Sequence, residues 1–233
     1  MKKVVNKAFI FLFVISQIAC SGTGGHEEKK EIAKPLENNA TQTSSTEKII
    51  LFFGNSLTAG YGLEMDKAFP ALIQAKVDTL GLNYKVVNAG LSGETTASGN
   101  TRIDWVLNQK VDIFILELGG NDGLRGISIE ETRKNLQQMI DKIQAKYQDC
   151  QIVLAGMQIP PNMGQDYTAA FRAVFPELAE KNEIMLIPFL LANVGGEPEL
   201  NQPDGIHPNE EGHKIVAENV WKILQEILKP EAS

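Results

Sequence analysis

Cysteine is scarce in this chain. Cys20 and Cys150 are the two it has in 233 residues, and they form no C-x-x-C pair, which excludes a zinc ribbon and a thioredoxin motif. Cys150 stands at the entry to an apolar run and reads as a half-buried thiol. An excess of basic side chains is lacking too. Lys and Arg number 22 against 29 Asp and Glu, a formal charge of -7. That balance argues against a surface that reads nucleic acid and against electrostatic attraction to anionic lipid. No Gly-Lys-Ser/Thr ending completes a phosphate-binding P-loop. There is no internal repeat and no second folded domain. Histidine is confined to His26, His207 and His213. The last two lack a third ligand nearby for a metal ion, and His213 suits the start of a closing helix. With 43% apolar and 22% charged residues, the composition is that of an ordinary globular chain, long enough to bury one core.

The N-terminus carries a different signal. Lys2, Lys3 and Lys7 surround the approach to an unbroken apolar stretch over residues 8–15. It is too short to span a bilayer as a mature helix but suits a secretory signal. Small Ala19 then precedes Cys20, a pattern that resembles the lipobox of bacterial lipoproteins, although Gln17 stands where a leucine-like residue is usual. Residues 1–19 are thus expected to be a signal peptide and Cys20 the lipidated mature N-terminus, placing the protein in the bacterial cell envelope. Ordinary cleavage nearby, leaving a soluble secreted protein, is the alternative. Residues 20–47 have no aromatic side chain and no apolar period. They read as a flexible tether reaching on the order of 30 Å, with His26 a solvated side chain within it. Because the domain is acidic, attachment would rest on more than one acyl chain.

Residues 48–229 alternate short apolar runs with amphipathic stretches. The runs are 49–53, 84–87, 111–118, 152–155 and 184–187, apolar on both faces as buried parallel strands are. Between them, Phe69, Leu72, Ile73, Val77 and Leu80 share one helical face. Leu136, Met139, Ile140, Ile143 and Tyr147 share another, behind a Ser128-Ile129-Glu130-Glu131 capping box. Val216, Val220, Ile223, Leu224 and Ile227 mark a last helix. Five strands alternating with helices predict an α/β fold, a three-layer α/β/α arrangement around a five-stranded parallel sheet. Ligands in such sheets bind beyond the carboxyl ends of the strands, so polar residues after each run are the candidates.

Four blocks stand there. Gly54-Asn55-Ser56-Leu57-Thr58-Ala59-Gly60 follows the first run and exposes a serine at a strand-to-helix turn. It is not a Gly-x-Ser-x-Gly elbow, and a Gly-x-Ser cap of an ordinary helix would look the same. Asn88-Ala89-Gly90-Leu91-Ser92-Gly93-Glu94-Thr95 follows the second run and can present backbone N–H groups to an anion. Gly119-Gly120-Asn121-Asp122 follows the third, where a side-chain amide can donate to a developing oxyanion, or simply make a turn. Asp204-Gly205-Ile206-His207-Pro208 lies near the C-terminus. A carboxylate three residues before an imidazole can bind its Nδ1 and leave Nε2 as a base.

In this order the four blocks resemble those of the SGNH/GDSL hydrolases, and within that family the small bacterial multifunctional thioesterase/lysophospholipase/arylesterase type. The likeness spans roughly residues 48–228. It implies a flavodoxin-like sheet, Ser56 as nucleophile, Asp204 and His207 completing a triad, and Ser56, Gly93 and Asn121 as the oxyanion hole. It implies an acyl ester or lysophospholipid substrate and requires no cofactor or metal. A loop after the fourth strand carrying Met157, Ile159, Pro160 and Met163 is expected to line the substrate site. One departure stands out: the family usually has aspartate where this chain has Asn55. The same triad could serve carbohydrate deacetylation, and a non-catalytic lipid-binding envelope lipoprotein is the alternative outside enzymology.

Overall fold

The computed structural model describes residues 47–228. The expected signal peptide, Cys20, His26 and residues 20–46 of the expected tether lie outside the described residues. Five strands, β1 (Lys48–Gly54), β2 (Tyr84–Gly90), β3 (Ile113–Glu117), β4 (Gln151–Ala155) and β5 (Met185–Ile187), pair parallel in the order β2-β1-β3-β4-β5. This is the expected α/β sheet in its flavodoxin-like order. Among the described residues seven α-helices accompany it: α1 (Ser56–Ala59), α2 (Phe69–Thr79), α3 (Thr96–Val106), α4 (Gly120–Leu124), α5 (Ile129–Lys146), α6 (Gln165–Lys181) and α7 (Glu210–Ile227). One group packs α2 on α7, the other α3 on α5 and α5 on α6. From β1 the chain crosses to β2 on one side and then back past β1 to β3. With right-handed crossovers, that reversal opens a crevice at the carboxyl ends of β1 and β3.

Burial follows strand position. All five residues of β3 and most of β1 are buried, because helices cover both their faces. The edge strands β2 and β5 are half-buried. Strand β2 runs three residues beyond its apolar run, because Asn88, Ala89 and Gly90 continue the ladder opposite Phe52, Phe53 and Gly54. An edge strand tolerates such polar residues where a central one does not. Its last glycine is needed for close approach: a Cβ on Gly90 would lie 2.2 Å from the Ala59 backbone nitrogen.

Two local expectations are corrected. Ser128 does occupy the N-cap of α5, but its hydroxyl makes no capping bond; its carbonyl accepts Thr132 N–H at 3.0 Å instead. A reciprocal capping box forms at α3, between Thr95 and Ser98. Leu80 leaves the buried face of α2, since the helix ends at Thr79 and Leu80 turns to solvent. The remaining stripes face the core, with Phe69, Ile73, Val77, Leu136, Met139, Ile140, Ile143, Val216, Val220 and Leu224 fully or almost fully buried.

Candidate active site

The site is built where β1 ends. Gly54 closes the strand, Asn55 caps α1, and Ser56 is that helix's first residue. The Asn55 Oδ1 accepts Leu57 N–H at 2.9 Å, as N-cap side chains do. Gly60 ends the turn at φ 74°, a left-handed conformation suited to glycine. These bonds fix the Ser56 backbone and leave its side chain on the crevice.

From 151 residues away the loop before α7 brings His207 to it. The Ser56 Oγ lies 2.9 Å from His207 Nε2, and His207 Nδ1 lies 2.6 Å from Asp204 Oδ2. The other Asp204 oxygen accepts the His207 and Ile206 backbone N–H groups at 3.0 and 2.9 Å. Hydrogen bonds from the His207 backbone, the His207 ring and Ile206 hold the Asp204 carboxyl down at about 2. A carboxylate so fixed favours the proton on Nδ1 and leaves Nε2 to take one from a hydroxyl. Gln202 ties this loop to the Ser56 turn, its Nε2 donating to Tyr61 and Pro208 carbonyls at 2.7 and 3.0 Å. The Tyr61 ring covers the imidazole, the centroids 4.7 Å apart.

The other two blocks meet across the crevice. Asn121 in α4 donates one amide N–H to the Glu94 carbonyl at 3.0 Å, which orients the amide and leaves its second N–H for another acceptor. Gly93, at φ 81°, has its carbonyl held by Arg125 Nη2 at 3.1 Å. Two buried acids anchor this region. Asp122 accepts Thr96 N–H and Oγ1–H at 2.9 and 2.5 Å. Burial raises its pKa against those bonds. Glu94 is paired bidentately with Arg102, whose guanidinium lies 4.1 Å from the Phe53 ring centroid.

Ser56, His207 and Asn121 border one cavity of about 420 Å³. Met157, Ile159 and Pro160 line it. Met163 does not; it packs half-buried against the core beside Gly126. Gly93 is also absent from that wall. The opposite wall comes from Phe189, Leu191, Gly195 and Gly196 after β5, with Leu124 and Ile206 at the mouth. No motif in the sequence signals this second wall, because the apolar residues that follow the fifth run carry no polar block of their own.

Among known proteins, 180 residues of the chain are 38% identical to Esterase TesA of Pseudomonas aeruginosa, covering 77% of this chain and 89% of that one. Over the same length it is 36% identical to Thioesterase 1/protease 1/lysophospholipase L1 of Escherichia coli, covering 77% and 84%. The crystal structure of the psychrotrophic esterase EstA from Pseudoalteromonas sp., inhibited by monoethylphosphonate, matches with a TM-score of 0.73 at 31% identity, covering 78% of this chain and 98% of that one. The sequence profile of the GDSL-like lipase/acylhydrolase family fits residues 52–215. The chain belongs to that family. It is a serine esterase, a carboxylic ester hydrolase.

Three further ionisable side chains of the esterase are buried for other reasons. His213 is buried in the first turn of α7, where its Nδ1 accepts Phe69 N–H at 3.1 Å. Burial and, less strongly, the charge of His207 push its pKa down to about 4. It is a structural histidine, as its place at the helix start suggests. Cys150 is a half-buried thiol pushed up to about 12, chiefly by burial, which disfavours its thiolate. Glu117, the last residue of β3, is fully buried directly beneath the serine turn. It reads in sequence as the end of an apolar strand, and no pattern singles it out.

Proposed function

We propose that Ser56 is the nucleophile of this esterase, His207 its general base and Asp204 the carboxylate that orients the imidazole. The observation that carries this is the unbroken relay Asp204–His207–Ser56, with contacts of 2.6 and 2.9 Å, opening onto a cavity with largely apolar walls. As Ser56 Oγ bonds to the ester or thioester carbonyl carbon, its proton passes to His207 Nε2. The oxyanion is received by the Ser56 and Gly93 N–H groups and the Asn121 amide. The bond to the leaving oxygen or sulfur then breaks, and His207 returns the proton to it. Water repeats the sequence on the acyl-enzyme and frees the acid.

The substrates proposed are aryl esters, acyl thioesters and lysophospholipids, in keeping with the names of the related enzymes. Met157, Ile159, Phe189 and Leu191 offer an alkyl chain an apolar wall and offer a sugar few polar partners, which favours acyl esters over carbohydrate. Ser56→Ala should abolish hydrolysis of an aryl ester and labelling by a fluorophosphonate; full turnover in the purified variant would end the assignment. Leu191→Trp should shift preference from long acyl chains toward short ones in a series from acetyl to dodecanoyl. An unchanged profile would remove the cavity from the acyl site. Acylation of Cys20 in the bacterial envelope is proposed as the means of attachment. Cys20→Ala should release the enzyme into the soluble fraction.

A further inference from the structure

A carboxylate that plays no part in the proton relay lies under the nucleophile. Glu117 Oε1 accepts the Asn55 side-chain N–H at 2.7 Å. Its Oε2 accepts the Asn55 backbone N–H at 3.0 Å and the Thr58 hydroxyl at 2.8 Å. All three partners donate, and this carboxylate is enclosed so tightly that a Cβ on Gly54 would lie 2.4 Å from Oε2 and 2.2 Å from Thr58 Oγ1. The Asn55 amide can satisfy this environment one way round. Its Nδ2 must face Glu117, which turns Oδ1 toward Leu57 N–H at 2.9 Å and toward the Ser56 hydroxyl at 3.4 Å.

We propose that Glu117 is a positioning residue for hydrolysis: it fixes the direction of the Asn55 amide and thereby the turn that presents Ser56 Oγ to His207. The proposal rests on Ser56 being the nucleophile. Asn55 and Glu117 form a matched pair, one donor facing one acceptor. If Glu117 presents an amide instead, two donors meet. Asn55 must then flip and turn its own NH₂ against Leu57 N–H, which disturbs the hydroxyl beside it. The asparagine that departs from the family's usual aspartate is therefore half of a functional pair.

The pair predicts a reversal. Glu117→Gln should lower kcat about 100-fold while KM for a short aryl ester stays within about twofold, since a misplaced nucleophile affects the reaction more than binding. Glu117→Gln with Asn55→Asp restores one donor and one acceptor with the roles exchanged. Its kcat should return to within about tenfold of the parent, a coupling that independent sites do not show. Rates are expressed per site titrated with a fluorophosphonate, so that loss of folded protein is not read as loss of positioning. If Glu117→Gln fails to fold, recovery of a folded, active enzyme on adding Asn55→Asp is the expected result. A parental kcat in Glu117→Gln overturns the proposal, as does a double variant no better than the single one or one that fails to fold. Ser56→Ala run alongside separates the two ideas: retained turnover there would sink the nucleophile assignment, whereas loss there without rescue in the double variant sinks this inference alone.

Discussion

His213 and Glu117 are buried side chains whose proton affinities are pulled in opposite senses, and together they shape the acid stability of the esterase. His213 joins α7 to the first turn of α2 through Phe69 N–H, 144 residues away. Burial, then the charge of His207, lowers it from 6.5 to about 4. Below pH 6.5 the unfolded chain binds a proton there that the native protein refuses. The contribution is complete above pH 6.5 and lost as pH falls through 4, about 3 kcal/mol for such a shift. Glu117 works in reverse. Burial raises it from 4.5 to about 7 against hydrogen bonds from Thr58 and Asn55. A raised proton affinity of this kind favours the native state at low pH and fades as pH rises through 7. Between pH 4.5 and 6.5 the two groups therefore act in opposite directions in the parent protein. His213→Gln keeps an acceptor for Phe69 N–H and removes the imidazole. Urea unfolding of parent and variant at several pH values isolates the histidine. Between about pH 7.5 and about pH 4.5 the difference should move in the variant's favour by 2 to 3 kcal/mol, roughly, whatever its value at neutral pH. A difference constant within about 0.5 kcal/mol over that range would refute the neutral buried imidazole.

Two further outcomes concern the site. Asn121→Ala removes a proposed oxyanion donor and should cost about 100-fold or more in kcat on an aryl ester, with KM changing less; an unaltered kcat would remove Asn121 from the oxyanion hole. Asn55→Asp sets a second carboxyl where the amide lies 2.7 Å from Glu117 Oε1, and two carboxylates that close retain a shared proton. The variant should stay within about tenfold of the parent at neutral pH and lose turnover relative to it as the medium becomes alkaline and the shared proton leaves. A variant-to-parent ratio independent of pH would show that the pair does not carry one shared proton.

The linear chain was enough to locate the strands β1, β3 and β4, because a strand covered on both faces must be apolar throughout. It also showed which helical faces point inward, and that Ser56, Asn121, Asp204 and His207 stand at strand ends or near the last helix. Short-range chemistry sufficed for the Asp204–His207 pair, three residues apart. What the order of residues left undetermined is everything that depends on distant segments meeting. The pairing of β2 beyond its apolar run was decided by the neighbouring ladder. The far wall of the cavity, Phe189 to Gly196, was decided by the segment after β5 reaching the cavity that Ser56 borders. Met163 was turned away from that cavity by local packing. Glu117 shows the reason most clearly. An acidic residue ending an apolar strand has no meaning until folding encloses it among donors from 59 to 62 residues away, and a buried charge is tolerated only where such donors surround it.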